Sequence, residues 1–346
     1  MTRSRLDDIL SGFSHAAIVV VGDYFLDKYL EIDPALAEVS IETGLEARQV
    51  TNVRCQPGAA GTIVSNLCAL GVGRVLCVGF VGDDGEGFEL IRGLRQMGAE
   101  TGGLLVRRDR FTPTYCKPLA RGSDGRLREL ERLDTKNRTA TPPDLESALA
   151  AELEGASAEA GAVIAQDQVQ EADCGVITSR LRQALADLAE GSPDKVWFGD
   201  SRTRIGEYRS LIVKPNREEC CAAVHPGSPA HDPRSVLRCA AELSGRVGRP
   251  VYLTLGEAGM ALVTPEAAQP VPTVRLEGEL DIVGAGDSAT AGIVAALCAG
   301  ATGAEAAAIG NLVASITVQQ IGSTGTATQE QVREQFVRYE GVWREL

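Results

Sequence analysis

The stretch most suited to chemistry is a glycine-rich turn that contains two carboxylates. Asp281 is followed by Ile282-Val283-Gly284-Ala285-Gly286-Asp287, and small and aliphatic residues then extend to Gly300. Gly284 and Gly286 permit positive φ and let a ligand approach the backbone closely. We predict that a helix begins here. Its first N–H groups lack internal partners and carry the positive end of the helix dipole, so the backbone of Gly284, Ala285 and Gly286 forms an anion hole for phosphate oxygens.

Asp287 lies in the same turn, where a carboxylate is placed to take a proton from a hydroxyl group. General base catalysis contributes roughly 10²–10⁴ in rate, and stabilisation of the developing charge by backbone N–H groups is usually the larger effect. Taken alone, the turn is better explained as a tight bend with a helix cap, because short glycine motifs occur often without function. Other segments therefore have to decide between the two interpretations.

The composition excludes several classes of partner. The chain has 346 residues and a net charge of −13, which argues against general binding of nucleic acid or of anionic membranes. No apolar run approaches the ~20 residues of a membrane span. Nine cysteines are scattered without a Cys-x-x-Cys pair, and no apolar core follows the N-terminus as it does in a signal peptide. We expect reduced thiols and a cytoplasmic protein.

Apolar runs that suit strands buried on both faces alternate with helical segments along the chain. The predicted strands are residues 16–22, 75–81, 162–165, 195–198, 211–214 and 251–255. This order predicts an α/β fold with a mostly parallel, doubly wound sheet and right-handed crossovers. We assign residues 1–346 to a single domain.

Two segments, approximately 24–56 and 104–133, mix polar and apolar residues and predict short, half-exposed strands. We expect them to form one small β-sheet that covers the strand ends as a lid. A lid of this kind excludes water from a reaction that water would spoil. Because half-exposed sheets tend to find partners, the lid is also a candidate contact for a homodimer.

Polar residues follow several predicted strands at their carboxyl ends, where open α/β sheets form ligand crevices. These residues are Asp23, Asp167, Asn216 with Glu219, and Gly256 with Glu257. Asp23 is a candidate contact for sugar-like hydroxyls. Each of them is also explained as a cap of a strand or helix end.

Together with the Gly-Ala-Gly-Asp turn, these strand ends resemble the ribokinase-like (PfkB) family of carbohydrate kinases over nearly the whole chain. The order and spacing of three segments look most like its heptose-7-phosphate kinase branch: Gly22-Asp23-Tyr24-Phe25-Leu26-Asp27-Lys28-Tyr29, Pro57-Gly58-Ala59-Ala60 and Pro215-Asn216-Arg217-Glu218-Glu219. The resemblance implies a three-layer ribokinase-like fold, ATP as phosphoryl donor, Mg²⁺, a monovalent cation such as K⁺, and a sugar or sugar phosphate as acceptor.

The resemblance also implies roles for individual residues. Asp287 matches the catalytic base, and Gly284, Ala285 and Gly286 match the anion hole. Asn216, Thr254, Gly256, Glu257, Gly259 and Asn311 fall on the nucleotide side, whereas Glu219 matches the residue that arranges Mg²⁺ and Asp281 the one near a monovalent cation. The substrate side comprises Asp23, Gly58, Ala59, Asn66, Lys117 and Asp167. One or two of Lys28, Lys117, Arg121, Arg128 and Arg132 on the lid are candidates to bind a substrate phosphate.

The sequence departs from the branch on the acceptor side. Thr62 stands where an asparagine that contacts the sugar is expected, Val283 replaces a threonine, and residues 32–45 differ from the usual lid sequence. The His-x-Gly-His motif of a nucleotidyltransferase is absent. The acceptor therefore stays open between a heptose 7-phosphate or related sugar and a nucleoside or other small alcohol. A non-catalytic sugar or nucleotide sensor on the same fold is the alternative from another class.

Overall fold

The structure is a computed structural model that describes residues 1–122, 124–227, 232–322 and 324–343. Its strands are β1 (Ala17–Gly22), β2 (Tyr24–Ile32), β3 (Glu38–Val39), β4 (Glu46–Ala47), β5 (Val50–Ala59), β6 (Arg74–Gly82), β7 (Glu100–Arg107), β8 (Thr114–Arg121), β9 (Leu127–Glu129), β10 (Leu133–Thr135), β11 (Ala162–Asp167), β12 (Val196–Ser201), β13 (Ile212–Val213), β14 (Val251–Thr254), β15 (Met260–Val263) and β16 (Ala268–Val271). Its α-helices are α1 (Arg3–Gly12), α2 (Ala60–Ala69), α3 (Gly85–Gln96), α4 (Pro143–Glu159), α5 (Ser179–Gly191), α6 (Arg217–Val224), α7 (Pro233–Val247), α8 (Ala285–Cys298), α9 (Gly303–Thr317) and α10 (Gln329–Arg338).

Nine of these strands form the central sheet, in the order β16-β15-β14-β13-β12-β11-β1-β6-β7. The strands from β14 to β7 pair in parallel, whereas β15 and β16 add an antiparallel edge. One apolar cluster joins the sheet to α1, α2, α8, α9 and α10, and another joins its opposite face to α4, α5, α6 and α7. The predicted doubly wound α/β fold with three layers is thus confirmed.

Strand β1 shows why the sheet forms where the sequence predicts it. Ile18 and Val20 belong to one apolar cluster, and Val19 and Val21 belong to the other. All four side chains are fully buried. A run of β-branched residues suits such a strand because both of its faces are covered by helices.

Helix α8 is the element that positions the site. Its N-cap, Gly284, has φ of 79°, a left-handed conformation that glycine adopts without strain. Small residues let α8 lie directly against α9: a Cβ on Gly292 would come within 3.1 Å of the Gly310 Cα. Although both helices are apolar, no helix within the described ranges is long and apolar enough to cross a membrane.

The lid is a separate five-stranded sheet in the order β10-β8-β2-β5, with β9 paired to β8. The first insertion agrees with the expected segment and carries the β3–β4 hairpin. The second insertion begins later than residue 104, because residues 100–107 form β7 at the edge of the central sheet. An edge strand is half-exposed like a lid strand, so the two have the same alternating pattern.

Candidate active site

A row of polar side chains lines the carboxyl end of the central sheet beneath the N-terminus of α8. The row consists of Gln166, Asp200 and Lys214, on the neighbouring strand ends of β11, β12 and β13, and we call it the floor. Gln166 lies beside Asp200 in the strand register, and the Lys214 N–H donates to the Gly199 carbonyl at 3.2 Å. The three side chains are 4–9% exposed. All three therefore present their polar groups to α8 rather than to bulk solvent.

The floor is held together by an ion pair and by contacts to α8. The Lys214 ammonium lies 2.8 Å from an Asp200 carboxylate oxygen, which also accepts a hydrogen bond from the Thr290 hydroxyl at 3.3 Å. A Cβ on Gly286 would sit 3.4 Å from the Lys214 Nζ. The cation therefore lies directly behind the predicted anion hole.

Asp287 is the third residue of α8, in the turn where the backbone donors are free. The Ala285 N–H donates to Ile282 and the Ser288 N–H donates to Gly284. Within the described part of the chain, the N–H groups of Gly286 and Asp287 have no acceptor. The Asp287 carboxylate is half-buried and accepts a hydrogen bond from the Gln166 amide at 3.2 Å. A base and two free donors thus face the same space.

The surroundings of Asp287 tune its basicity. Burial and the negative charge of Asp200 raise the pKa of Asp287 from 3.8 to about 7, whereas the Lys214 and Arg202 cations oppose the shift. The lid residue Asp27 adds to the increase, which shows that lid and floor share one electrostatic environment. A carboxylate with a pKa near 7 suits general base catalysis at neutral pH.

Asn216 and Glu219 form a reciprocal cap at the start of α6. The Asn216 side chain accepts from the Glu219 N–H, and one Glu219 carboxylate oxygen accepts from the Asn216 N–H, both at 2.8 Å. The Asn-x-x-Glu spacing is therefore also the spacing of a capping box. Burial and the nearby Asp200 raise the pKa of Glu219 above its ordinary value.

The loop after β14, predicted to contact a nucleotide, is a tight turn that lies beside the start of α6. The Thr254 N–H and hydroxyl both contact the Pro215 carbonyl, so this loop lies beside Asn216. Gly256 and the buried Gly259 have φ of 63° and 85°, and Glu257 between them is exposed. A Cβ on Gly259 would lie 2.4 Å from the Val271 carbonyl oxygen, so only glycine fits here. The Asn311 amide of α9 donates to the Val271 and Pro272 carbonyls, and so fixes the end of β16 that lies against Gly259.

Asp281 fixes the turn that precedes α8. Its N–H donates to the Val318 carbonyl at 2.8 Å, and its carboxylate accepts from the N–H groups of Val283 and Gly322. These bonds join the anion-hole turn to the end of α9. Thr62 also supports the turn, since its methyl carbon would lie 3.3 Å from a Cβ on Gly284.

Asp27 is a lid residue to which the sequence analysis gave no role. It is 6% exposed, and its carboxylate lies 2.8 Å from the Lys117 ammonium. A Cβ on Gly58 would come within 2.6 Å of an Asp27 carboxylate oxygen, so a glycine is needed to make room. Ala59 follows with φ of 52° and serves as the N-cap of α2. The predicted residues Gly58 and Lys117 therefore both lie against Asp27, and Ala59 is the next residue after Gly58.

Each of the five lid cations, of which one or two were candidates to bind a substrate phosphate, has a carboxylate partner. The pairs are Lys28–Glu86, Lys117–Asp27, Arg121–Glu31, Arg128–Asp124 and Arg132–Asp134. In contrast, the described residues supply no ion pair for the exposed side chain of Arg202, which follows β12. Arg202 lowers the pKa of both Asp287 and Glu219, so its charge reaches the floor.

Asp23, Asp167 and Asn66 were expected to contact the substrate, and in the structure each of the three side chains makes hydrogen bonds within the protein. The Asp23 carboxylate is buried and accepts from the N–H groups of Gln168, Val169 and Val176. The Asp167 carboxylate accepts hydrogen bonds from the Ser201 hydroxyl and, on both of its oxygens, from the Arg204 guanidinium. Asn66 is fully buried and donates to the Thr62 and Gly325 carbonyls. Protein groups occupy the carboxylate oxygens of Asp23 and Asp167. The side-chain oxygen of Asn66 is buried and has no partner among the described residues.

Gln166 went unrecognised because the neighbouring residue Asp167 was chosen at the end of β11. Side chains alternate across a strand, so Gln166 and Asp167 point to opposite faces of the sheet. Asp167 points to the face of α5, whereas Gln166 points to α8. Alternate residues of β11, beginning with Ala162 and Ile164, face the α8 side of the sheet. Continuing this alternation would have selected Gln166.

A doubly wound sheet with a half-buried aspartate at a helix N-terminus, beneath a small β-sheet lid, defines the class of ribokinase-like small-molecule kinases. Solved structures of similar fold include the ribokinase of Arabidopsis thaliana complexed with ribose and ATP, with a TM-score of 0.68 and 19% identity over 92% of this chain and 98% of that one. Another is phosphofructokinase-2 of Escherichia coli in complex with potassium, with a TM-score of 0.70 and 17% identity over 93% of this chain and 99% of that one.

The family itself follows from the sequence match. Residues 18–330 match the family described as pfkB family carbohydrate kinase, and the chain belongs to this family. Curated relatives include the bifunctional protein HldE of Pelobacter propionicus, 29% identical over 95% of this chain and 65% of that protein. The HldE protein of Gluconobacter oxydans is also 29% identical, over 94% of this chain and 66% of its own length. The chain thus spans about two thirds of these relatives.

Proposed function

We propose that the protein transfers the γ-phosphoryl group of ATP to a hydroxyl group of a sugar or sugar phosphate. The observation that carries this proposal is the position of Asp287, whose half-buried carboxylate has a pKa near 7 and lies beside two free backbone donors at the start of α8. A sensor of sugars or nucleotides has no use for a tuned base at this place. Membership of the carbohydrate kinase family supports the same conclusion.

The chemistry assigns a role to each group of the site. The acceptor O–H bond breaks as Asp287 takes the proton, the acceptor oxygen forms a bond to the γ-phosphorus, and the bond from phosphorus to the ADP oxygen breaks. Charge on the transferring group is stabilised by the N–H groups of Gly286 and Asp287 and by the buried Lys214 cation behind them. The exposed side chain of Arg202 adds a further positive charge.

The nucleotide lies, in this proposal, between the loop of residues 254–259 and the wall held by Asn311, next to Asn216. Glu219 and Asp200 would hold Mg²⁺ together with phosphate oxygens and water. Their charges fit this role, since the carboxylates of Asp200, Glu219 and Asp287 outnumber the cations Lys214 and Arg202 that face them. No group of three metal-ligating side chains exists among the described residues, which is expected for an ion that keeps several waters. When bound, Mg²⁺ neutralises phosphate charge.

Asp281 is the residue proposed to sit near a monovalent cation such as K⁺. It joins the anion-hole turn to the end of α9, so a cation bound there would stabilise the turn without contacting the phosphates. The similar phosphofructokinase-2 structure is a complex with potassium. Because the reaction consumes ATP, we place it in the cytoplasm.

For the acceptor we propose a heptose 7-phosphate or a related sugar phosphate. Similarity to the HldE proteins over 94–95% of the chain supports a sugar acceptor. On the lid, Lys117 and Asp27 face the floor as a charged pair, and Arg132 stacks over the Tyr115 ring at 4.1 Å. A substrate phosphate would draw one of these cations away from its carboxylate partner.

The test is a panel of acceptors with ATP and Mg²⁺, in which ADP formation and the phosphorylated product are both measured. The panel contains D-glycero-β-D-manno-heptose 7-phosphate, mannose 6-phosphate, ribose and adenosine. Phosphorylation of a sugar or sugar phosphate, lost in Asp287→Asn, is the expected result. Phosphorylation of adenosine alone would replace the proposal by a nucleoside kinase. Binding of ATP without ADP formation over any acceptor would replace it by a sensor.

We also propose that two copies of the chain associate through the lid. Six exposed apolar side chains lie on or beside the β3–β4 hairpin and the outer edge strand β5: Leu36, Val39, Ile41, Leu45, Val50 and Val53, each 45–102% exposed. Strand β5 is the open edge of the lid sheet, so its backbone groups are available for a partner. Light scattering of the wild type and of Ile41→Asp tests this, since a dimer that the substitution dissociates is expected and a monomeric wild type would refute it.

A further inference from the structure

Gln166 is the floor residue whose hydrogen bonding is incomplete. Its side-chain nitrogen donates to Asp287 at 3.2 Å, and its side-chain oxygen is buried with no partner among the described residues. The side chain as a whole is 4% exposed. Buried amide oxygens are nearly always hydrogen-bonded, because an unsatisfied one loses its contacts with water without replacement. The free oxygen of Gln166 therefore indicates a donor that arrives with a ligand.

When Asp287 is ionised, as a base has to be, its carboxylate oxygen needs a donor, and the Gln166 side-chain nitrogen supplies it at 3.2 Å. A reversed amide would place its oxygen against a carboxylate oxygen, and two acceptors repel each other. Next to Gln166 in β1 stands Gly22, where a Cβ would lie 2.9 Å from the Gln166 Cβ and 2.2 Å from its carbonyl oxygen. Because residue 22 is a glycine, β1 places no side chain in the space beside Gln166.

We propose that the Gln166 side-chain oxygen accepts a hydrogen bond from the acceptor hydroxyl on the carbon adjacent to the one that is phosphorylated. The inference rests on the proposed function, and it narrows the acceptor to compounds with a vicinal diol at the reacting end. Asp287 binds the reacting hydroxyl and Gln166 is bonded to Asp287. The next hydroxyl along the substrate is therefore the donor within reach of the free oxygen. Gln166 positions the substrate and takes no part in proton transfer.

A second glutamine on the lid fits the same class of ligand. Gln56 pairs across the strands with Asp27, so the two side chains share the lid face that turns toward Asp287. Its side-chain oxygen is also buried without a partner in the described ranges. Acceptor oxygens on the floor and on the lid together suit a polyol, which supplies several O–H donors, rather than a compound with a single alcohol group.

The experiment compares matched acceptors with and without the neighbouring hydroxyl. The pairs are D-glycero-β-D-manno-heptose 7-phosphate with its 2-deoxy analogue, and mannose 6-phosphate with 2-deoxyglucose 6-phosphate. For the wild type, kcat/KM is expected to fall roughly 10- to 100-fold on removal of the hydroxyl, because Gln166 is then left unpaired. In Gln166→Met the parent and deoxy compounds are expected to react equally well, and most of the loss on the parent is expected in KM.

The matched control is Gln183→Met, which removes the same amide from the exposed face of α5, where it contacts Asp187. This variant is expected to keep the wild-type preference. Gln166→Ala repeats the test with a smaller side chain if the methionine variant melts early. Gln166→Glu retains an acceptor oxygen, so it is expected to keep the preference while its charge slows turnover beside Asp287.

The possible outcomes separate the inference from the function on which it rests. Equal use of parent and deoxy compounds by the wild type overturns the role of Gln166 and leaves the kinase intact. A preference that persists in folded Gln166→Met and Gln166→Ala also overturns it, since another group then holds the hydroxyl. A wild type that phosphorylates none of the sugars and sugar phosphates, here or in the acceptor panel, refutes the proposed function and the inference together.

Discussion

Replacing Asp200 by asparagine should shift the pH dependence of the reaction without removing the base. Asp287 has a pKa of about 7, and Asp200 is the leading charge that raises it after burial itself. A base must be unprotonated to act, so wild-type kcat/KM should fall about tenfold for each pH unit below 7. Loss of a neighbouring like charge lowers a carboxyl pKa by about 1–3 units. The acidic limb of the Asp200→Asn variant should therefore move to between about pH 4 and pH 6.

The release of Lys214 acts in the same direction, because the ammonium loses its partner at 2.8 Å and stabilises the Asp287 carboxylate instead. The assay is a profile of kcat/KM from about pH 3.5 to about pH 9 with saturating ATP and Mg²⁺. The readout is the pH at which kcat/KM begins to fall. The maximum value of kcat/KM is not used, because it also reflects the altered floor. Thr290→Val is the matched control, because it removes a hydrogen bond to Asp200 without a change in charge. An acidic limb that stays in place in Asp200→Asn would refute the electrostatic account of the floor.

Three further predictions test separate parts of the site. Glu219→Gln should raise the Mg²⁺ concentration needed for half-maximal rate while the protein stays folded, because glutamine also completes a capping box; an unchanged Mg²⁺ requirement would remove Glu219 from the metal site. Asp287→Asn should melt higher than the wild type at pH 8, with a difference that closes toward pH 4. The reason is that the folded carboxyl, with its raised pKa, loses stability as the pH climbs from about 4 through 7; a difference independent of pH in differential scanning fluorimetry would contradict this. Gly259→Ala should raise KM for ATP and leave the acceptor KM alone, because a Cβ would lie 2.4 Å from the Val271 carbonyl oxygen; equal effects on both KM values in steady-state kinetics would place the loop elsewhere.

The sequence predicted the central sheet, the start of α8 and the lid because each depends on local patterns. Continuous β-branched runs such as Ile18 to Val21 identify strands covered on both faces. The glycines around Ala285 identify a turn that needs left-handed backbone. The extent of the second lid insertion was less predictable, since β7 at the sheet edge has the alternation of a lid strand.

Prediction was weakest for polar side chains at the strand ends. Asp23 and Asp167 are carboxylates at the expected edge, yet their oxygens are taken by backbone N–H groups and by Arg204. Those donors come from residues 168–176 and 204, and no spacing in the sequence shows which loop folds back on which strand. Gln166 and Lys214 matter because of their contacts to α8, a packing relation between segments more than 70 residues apart.

The lid illustrates the same limit for charged residues. One or two of its cations were candidates to bind a substrate phosphate, and in the structure Lys117 pairs with Asp27 and Arg132 pairs with Asp134. The pairing depends on the register of β2, β8 and β10, which is set by the sheet as a whole. Arg202, which no lid pattern included, is the exposed cation whose charge acts on Asp287 and Glu219.

The most direct test of the central claim compares turnover and nucleotide binding in the wild type and Asp287→Asn, with an acceptor that the wild type phosphorylates. We predict that kcat falls roughly 10²–10⁴-fold in the variant, in line with loss of a general base. Calorimetric affinity for ATP with Mg²⁺ should remain unchanged, because the backbone donors and Lys214 stay in place. A variant that binds ATP and turns over at the wild-type rate would show that Asp287 is not the base.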